Sequence, residues 1–248
     1  MIYILGSISS GKSSLTRILS DFLGSQPYYE DVNNGLIKGM LDKFYGKGTQ
    51  EQKQVSAMLQ VAFLTVRYQS LKKALPQHNA VLDSNIESDR VMANRIYQNG
   101  QMDTESFNVY MTLAQEMQSN VNGSPWNGFP DLAIYLDISP EKEIEEIQAR
   151  GREMESIEKD PSLIAYYNSV NKAYDEWYQG YLSAPSIRID RDKFDFVNDL
   201  EDRKTVLNMI ADKLYELGKL DEHEYNKLMR DLPKLELTNI VNGTEVQQ

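Results

Sequence analysis

The chain has 248 residues, of which 41% are hydrophobic and 25% are charged, and this length allows one large domain or two small ones with a substantial core. It contains no cysteine, which excludes disulfides and thiolate chemistry. The formal net charge of −11 disfavours binding to nucleic acid and to anionic membranes, because such binding depends on clustered lysine and arginine.

Four short segments have the composition of buried strands, and helical patterns separate them. The predicted strands are Ile2–Leu5, Ala80–Asp83, Leu132–Asp137 and Ser186–Asp190. The first predicted helix begins at about residue 12, and three longer ones cover about 54–75, 103–121 and 162–182. Strands that alternate with helices predict an α/β fold with three layers, in which helices cover both faces of a parallel sheet.

The first predicted strand leads directly into a glycine-framed loop and then a helix. Residues 6–13 fit the phosphate-binding pattern G-x-x-x-x-G-K-[ST]. They are Gly6, Ser7, Ile8, Ser9, Ser10, Gly11, Lys12 and Ser13, and Ser14 follows in the first helical turn. In such a loop, backbone N–H groups surround the phosphates, the lysine reaches the β- and γ-phosphates, and the serine hydroxyl holds Mg²⁺. We therefore expect a nucleoside triphosphate, and the lack of an N-K-x-D motif argues against a GTPase.

The two ends of the chain differ in character. We find no apolar run long enough to span a membrane and no signal peptide, so a cytoplasmic protein is expected. Residues 219–248 are polar and contain a proline and an Asn-Gly pair. We expect residues 1–218 to form the P-loop domain and 219–248 to form an extension that is partly disordered at its end.

Several separated motifs occur in an order that resembles the deoxynucleoside kinase family, particularly its bacterial deoxyadenosine and deoxyguanosine kinases. Beyond the phosphate-binding loop, these motifs are YYEDV at 28–32, Q-x₆-R from Gln60 to Arg67, DSNIESD at 83–89, RGREME at 150–155, the aromatic-rich segment 166–178, and DRDKFDF at 190–196. The resemblance covers the chain from Met1 to about Leu220. It implies a P-loop kinase fold with an arginine-bearing lid.

The resemblance assigns roles around the acceptor. It makes Glu30 the general base that takes the proton of the sugar 5′-hydroxyl, and it assigns Gln60 and Arg67 to the nucleobase, with Asp89 orienting Arg67. Gln60 and Arg67 are seven residues apart, so on a helix they point the same way. Tyr45 and Glu155 are the implied partners of the 3′-hydroxyl.

The resemblance also assigns roles around the donor. Arg150 and Arg152 are the lid arginines that, with Lys12, stabilise the transferring phosphoryl group. Asp195 and Phe196 belong to the implied ATP site. Ser13 and Asp83 are the implied Mg²⁺ ligands, and Asp83 follows a predicted strand, where open α/β sheets bind their ligands.

Two positions depart from the family pattern. Ser84 stands where the family has an arginine that contacts the reacting phosphate and the carboxylate of the general base. Glu146 stands where relatives have an arginine that stacks on the adenine of ATP. Arg90 and Arg95 are candidates to compensate for the arginine missing at position 84.

The sequence therefore predicts transfer of the γ-phosphate of ATP to the 5′-hydroxyl of a deoxynucleoside, with a purine favoured, giving a monophosphate for nucleotide salvage. A weakly active nucleotide-binding partner subunit and a nucleoside monophosphate kinase remain alternatives. The resemblance also implies a homodimer joined through the helices at 54–75 and 103–121, with a heterodimer of related subunits as the alternative.

Overall fold

The structure is a computed structural model that describes residues 1–30, 34–45, 49–121, 124–125 and 128–237. Side chains are described in these ranges except at 41–45, 49–54, 124–125 and 154. The side chain of Tyr45 and the end of the predicted extension, residues 238–248, thus lie outside the described part. Within the described ranges, no helix is long and apolar enough to cross a lipid bilayer.

A five-stranded parallel sheet forms the centre of the molecule. Its strands are β1 (Ile2–Gly6), β2 (Pro27–Tyr28), β3 (Val81–Leu82), β6 (Leu132–Asp137) and β7 (Ser186–Asp190). Their spatial order is β2-β3-β1-β6-β7, and every neighbouring pair is parallel. The short strands β4 (Asn120–Val121) and β5 (Ser124–Pro125) pair antiparallel outside this sheet. The predicted three-layer α/β fold is confirmed, although β2 was not among the four predicted strands and β3 is shorter than predicted.

Helices cover both faces of the sheet. They are α1 (Lys12–Leu23), α2 (Gly35–Tyr45), α3 (Thr49–Ala74), α4 (Ile86–Gln98), α5 (Thr104–Ser119), α6 (Pro140–Arg150), α7 (Leu163–Gly180), α8 (Leu200–Glu216) and α9 (Glu222–Asp231). The four predicted helices correspond to α1, α3, α5 and α7. Helix α3 begins five residues earlier than predicted.

The first strand shows how the two layers of core arise. All five residues of β1 are buried, and successive side chains point to opposite faces of the sheet. Ile2 and Ile4 pack in a cluster with residues of α1 and α8, whereas Tyr3 and Leu5 pack in a second cluster with residues of α3, α4, α5 and α7. A continuous apolar run in β1 therefore reflects burial on both sides, as is typical of parallel sheets.

Part of the predicted C-terminal extension packs against the sheet. Leu220, Leu228 and Leu232 are buried in the same cluster as the side chains of α1 and α8. Asp221 and Glu224 form a capping box that begins α9, in which each side chain accepts a hydrogen bond from the other residue's backbone N–H. Residues 219–237 therefore contribute to the core on this face, and the division after residue 218 stays a prediction.

Candidate active site

The phosphate-binding loop joins β1 to α1 at the carboxyl end of the central strand. Ser9 and Gly11 have left-handed backbone conformations, with φ of 55° and 95°. At Gly6, a Cβ atom would lie 2.6 Å from Ser10 Oγ and 2.8 Å from the Leu136 carbonyl oxygen, so a side chain there would displace the loop. Helix α1 then begins at Lys12 with its N-terminus directed at the loop. This arrangement suits an anion.

Lys12 lies inside this loop. Its Nζ donates to the carbonyl oxygens of Gly6, at 2.9 Å, and of Ser7, at 2.6 Å. Burial lowers the pKa of Lys12, and the nearby carboxylates of Glu30, Asp83 and Glu143 oppose that shift. The ammonium is therefore held at the loop by backbone carbonyls and surrounded by acids.

Arg191 supports the loop from behind. It is 2% exposed, and its Nε donates to the Ser10 carbonyl at 3.0 Å while its guanidinium lies 4.4 Å from the centre of the Phe196 ring. Phe196 is itself fully buried, and a Cβ on Gly11 would lie 3.1 Å from its ring. The ring therefore packs beneath the loop, and Asp195 lies nearby with its Oδ1 3.9 Å from the Arg191 guanidinium. Arg191 was not predicted as a site residue.

Glu143 is a second support that sequence reasoning missed. It lies in α6 and is fully buried, and its Oε2 accepts from Ser7 Oγ and from Asn171 Nδ2, both at 2.6 Å. Burial raises the pKa of Glu143, and these two hydrogen bonds partly offset the shift. The acid thereby joins the phosphate-binding loop to α6 and α7.

Ser13 and Asp83 come together at the start of α1. Ser13 Oγ donates to Asp83 Oδ2 at 2.7 Å, and the other carboxylate oxygen, Oδ1, is buried without a hydrogen-bond partner among the described residues. Burial raises the pKa of Asp83 to about 6. A hydroxyl beside a carboxylate with a free oxygen has the oxygen chemistry that Mg²⁺ prefers, so this pair fits that ion. The described residues contain no group of three or more acids, histidines or cysteines that could hold a metal ion by themselves.

A cavity of about 660 Å³ extends from the phosphate-binding loop along α4. Its lining includes residues predicted for the donor and residues predicted for the acceptor. These are Lys12, Glu30, Gln60, Arg67, Asp83 and Asp89. Ser88 and Tyr174 also line it and were not predicted individually. The loop lysine, the predicted general base and the predicted nucleobase residues therefore share one cavity.

Arg67 stands between two carboxylates at the wall of this cavity. Its Nη2 lies 2.5 Å from Glu30 Oε1, and its Nε lies 2.9 Å from Asp89 Oδ1. Burial raises the pKa of Asp89, and the Arg67 guanidinium opposes that shift. Asp89 Oδ2 and Gln60 Oε1 are buried acceptors without a hydrogen-bond partner among the described residues. The part of the cavity predicted to hold the nucleobase thus has two acceptors without a hydrogen-bond partner among the described residues.

The predicted lid follows α6. Arg150 donates through Nε and Nη2 to Glu155 Oε2, at 3.1 and 2.6 Å, and Arg152 lies 3.5 Å from Glu155 Oε1. Tyr167 donates to the Glu155 carbonyl at 3.0 Å. The structure therefore brings the three predicted lid residues together, although none of them lines the cavity of 660 Å³.

The positions that depart from the family pattern occupy different surroundings. Ser84 is buried with no hydrogen-bond partner for its hydroxyl among the described residues, and Glu146 lies 3.9 Å from the Arg191 guanidinium. Arg90 points towards α5, where it donates to two glutamine side chains. Arg95 lines the cavity and donates to Ser169 Oγ. With Ser84 in place of the family's arginine, Arg67 is the arginine that forms an ion pair with Glu30 in the described part of the chain.

Comparisons with known proteins agree with this geometry. The family model described as deoxynucleoside kinase matches residues 2–227. A deoxyguanosine kinase from Lactobacillus johnsonii is 38% identical over 90% of this chain and 96% of its own length. A deoxyadenosine kinase from Lactobacillus acidophilus is 34% identical over 89% of this chain and 99% of its own length.

A solved structure extends the comparison to the fold. The deoxyadenosine kinase from M. mycoides, solved with the product dCMP and a flexible dCDP, has a TM-score of 0.62 and 25% identity and covers 87% of this chain and 98% of its own. The family match spans the phosphate-binding loop, the cavity residues and the lid alike. The chain belongs to the deoxynucleoside kinase family and is an ATP-dependent kinase.

Proposed function

We propose that this chain transfers the γ-phosphoryl group of ATP to the 5′-hydroxyl of a purine deoxynucleoside and releases ADP and the deoxynucleoside 5′-monophosphate. The observation that carries the proposal is the shared cavity, because Lys12 of the phosphate-binding loop and the carboxylate of Glu30 line the same space. Phosphoryl transfer mainly requires that donor and acceptor be positioned and that charge be stabilised.

In this proposal the donor is held by the loop and the lid. Backbone N–H groups of residues 6–14 and the Lys12 ammonium bind the phosphates, and Arg150 and Arg152 turn towards the transferring group as negative charge spreads over its oxygens. Asp195 and Phe196 belong to the wall behind the donor. Phe196 acts from beneath the loop, since its ring is buried against Gly11 and Arg191.

Mg²⁺ is the metal that we propose for the donor. Ser13 and Asp83 would hold it through the hydroxyl and the carboxylate, and the ion would neutralise phosphate charge. The unsatisfied Oδ1 of Asp83 supports this assignment.

The acceptor lies between Glu30 and the nucleobase residues. Glu30 takes the proton of the 5′-hydroxyl as its oxygen attacks the γ-phosphorus, and Glu155 and Tyr45 are proposed for the 3′-hydroxyl. The unsatisfied acceptors Gln60 Oε1 and Asp89 Oδ2 match the N–H donors on a purine edge. The similarity to both a deoxyguanosine kinase and a deoxyadenosine kinase supports a purine acceptor.

We also propose a cytoplasmic homodimer, with a heterodimer of related subunits as the alternative. Helices α3 and α5 carry exposed apolar side chains that an interface would cover. Met58 is 53% exposed and Val109 is 67% exposed.

One assay tests the proposed reaction. Purified protein is incubated with ATP, Mg²⁺ and each of the four deoxynucleosides in turn, and nucleoside monophosphates are separated and quantified. We expect monophosphate from deoxyguanosine or deoxyadenosine, with kcat reduced by about 10²- to 10⁴-fold in Glu30→Gln. Glu105→Gln, an exposed acid on α5, is the matched control and should retain activity. ATP binding without any monophosphate would refute the proposal.

A further inference from the structure

Arg67 connects two acids that come from different elements. Glu30 lies on the segment after β2, Asp89 lies in the first turn of α4, and Arg67 reaches both from α3. The contact with Glu30 is a hydrogen bond from Nη2, and the contact with Asp89 uses Nε on another edge of the guanidinium. One side chain therefore bridges the proposed general base and a proposed nucleobase residue.

The contact between Arg67 and Asp89 is buried, whereas the side chain of Glu30 is partly exposed. The side chains of Arg67 and Asp89 are 10% and 4% exposed, and the guanidinium lies 4.7 Å from the centre of the Phe63 ring. The Glu30 side chain is 42% exposed. An exposed carboxylate samples several rotamers, whereas a hydrogen bond to a packed guanidinium restricts it to one direction. Arg67 can thus orient Glu30.

Other cations near the site are occupied elsewhere. The Lys12 ammonium is bound by loop carbonyls, and both Arg150 and Arg152 contact Glu155. Among the ion pairs in the described part of the chain, the pair with Arg67 is the one that includes Glu30.

We propose, on the basis of the proposed function, that Arg67 is a positioning residue for the chemical step. It holds the Glu30 carboxylate towards the acceptor hydroxyl while its other edge stays with Asp89 at the nucleobase. Recognition of the base and orientation of the proton acceptor are then coupled through one guanidinium. A side chain that served only the nucleobase would affect KM, whereas this role also affects kcat.

Ser84 offers an independent way to examine this role. Ser84 lines the cavity of about 660 Å³ together with Glu30 and Arg67, and its hydroxyl has no hydrogen-bond partner among the described residues. An arginine at position 84 could therefore reach Glu30 from outside α3, the helix that carries Arg67, and would not need to contact the nucleobase.

The first experiment compares two variants that each remove one half of the bridge. Arg67→Gln removes the contact with Glu30, and Asp89→Asn removes the charge at the nucleobase end while Arg67 remains beside Glu30. We expect kcat to fall by about 10- to 100-fold in Arg67→Gln and by less than about threefold in Asp89→Asn, with KM for the deoxynucleoside raised in both. Equal kcat in the two variants would overturn the proposal.

The second experiment is a rescue. In the Arg67→Gln background, Ser84→Arg should restore kcat at least partly and leave KM for the deoxynucleoside high, whereas Ser84→Met, of similar bulk and without charge, should not. Because an arginine at position 84 can impair folding, millimolar guanidinium chloride added to Arg67→Ala provides a second test, with equal sodium chloride as the control. If circular dichroism shows folded variants and neither rescue raises kcat, the proposal is wrong.

These results can be separated from a failure of the proposed function. The unmodified protein serves as the reference in every comparison. If it forms no monophosphate from any deoxynucleoside, the proposed reaction fails. If it is active and Arg67→Gln changes only KM, the positioning role fails and the reaction stands.

Discussion

The buried Glu143 leads to a prediction about how the phosphate-binding loop is stabilised. Its hydrogen bonds from the side chains of Ser7 and Asn171 both end on Oε2, and Oε1 has no hydrogen-bond partner among the described residues. In Glu143→Ala the Ser7 hydroxyl loses its acceptor, while Asn171 still donates to the Ile138 carbonyl at 2.8 Å. A buried donor left unsatisfied costs about 1–3 kcal/mol, so with the added cavity we expect the free energy of unfolding to fall by about 2–4 kcal/mol.

Two further variants serve as comparisons for Glu143→Ala. In Glu143→Gln, the amide oxygen can take the place of Oε2 and accept both hydrogen bonds, and the cost of burying a charge disappears. Because the new amide nitrogen would stand at the position of Oε1, where no partner lies among the described residues, we expect its free energy of unfolding to fall by less than that of Glu143→Ala, about 1 kcal/mol. Glu145→Ala changes an exposed acid on the same helix and should alter stability by less than about 0.5 kcal/mol.

Urea unfolding followed by circular dichroism measures the series, and isothermal titration calorimetry with ATP reports the state of the loop. We expect ATP affinity to decrease in Glu143→Ala, since Ser7 belongs to the loop, and to be retained in Glu143→Gln. The reasoning would be refuted if Glu143→Ala were as stable as Glu145→Ala, because the two buried contacts would then contribute nothing.

Three other predictions concern pH, metal and assembly. Partial burial alone would raise the pKa of Asp131, but hydrogen bonds from Lys219 and the N-terminal ammonium hold this pKa below its usual value. Asp131→Asn should therefore lower the free energy of unfolding by about 1 kcal/mol at pH 7. Because the pKa is depressed in the folded state, this difference should vanish as the pH falls below about 4 in urea titrations. Ser13→Ala removes the partner of Asp83 and should raise the Mg²⁺ concentration needed for half-maximal activity. Val109→Glu should shift the protein towards monomer in sedimentation velocity.

A specific result would contradict each of these three predictions. A difference between Asp131→Asn and the unmodified protein that persisted undiminished at pH 3 would remove the carboxylate as its cause. An unchanged Mg²⁺ requirement in Ser13→Ala would argue against the hydroxyl as a ligand. If Val109→Glu and the unmodified protein have the same sedimentation coefficient, Val109 does not belong to the proposed interface.

Local patterns explain which features the sequence predicts well. The fold class follows from buried strands that alternate with helices, and the phosphate-binding loop follows from a short contiguous motif, so neither depends on distant contacts. Gln60 and Arg67 are also predictable as a pair, because helical periodicity alone places them on one side of α3. The helix boundaries agree less well, since the ends of helices depend on capping and tertiary contacts.

Features that depend on contacts between distant residues were missed. Strand β2 has two residues, Pro27 and Tyr28, which is too short for an alternating pattern, and it forms because it pairs with β3. Glu143 appears in the sequence as one acid among several in a charged helix, and only the folded chain brings it to Ser7, 136 residues away. Arg191 likewise contacts the Ser10 carbonyl from 181 residues away. A glutamate at a helix position that faces the core was the one available signal for Glu143.

The net charge of −11 raises the question of how such a chain binds a triphosphate. The cations of the site are each bound locally: Lys12 donates to loop carbonyls, Arg67 pairs with Glu30 and Asp89, and the lid arginines pair with Glu155. A phosphate that approaches the lid must therefore compete with the Glu155 carboxylate for Arg150 and Arg152. Since Glu155 is also the proposed partner of the sugar, binding of the acceptor would draw this carboxylate away and release the arginines to the donor. We therefore expect the lid arginines to reach the donor more readily when both substrates are bound, and hydrolysis of ATP by water to be slow without an acceptor.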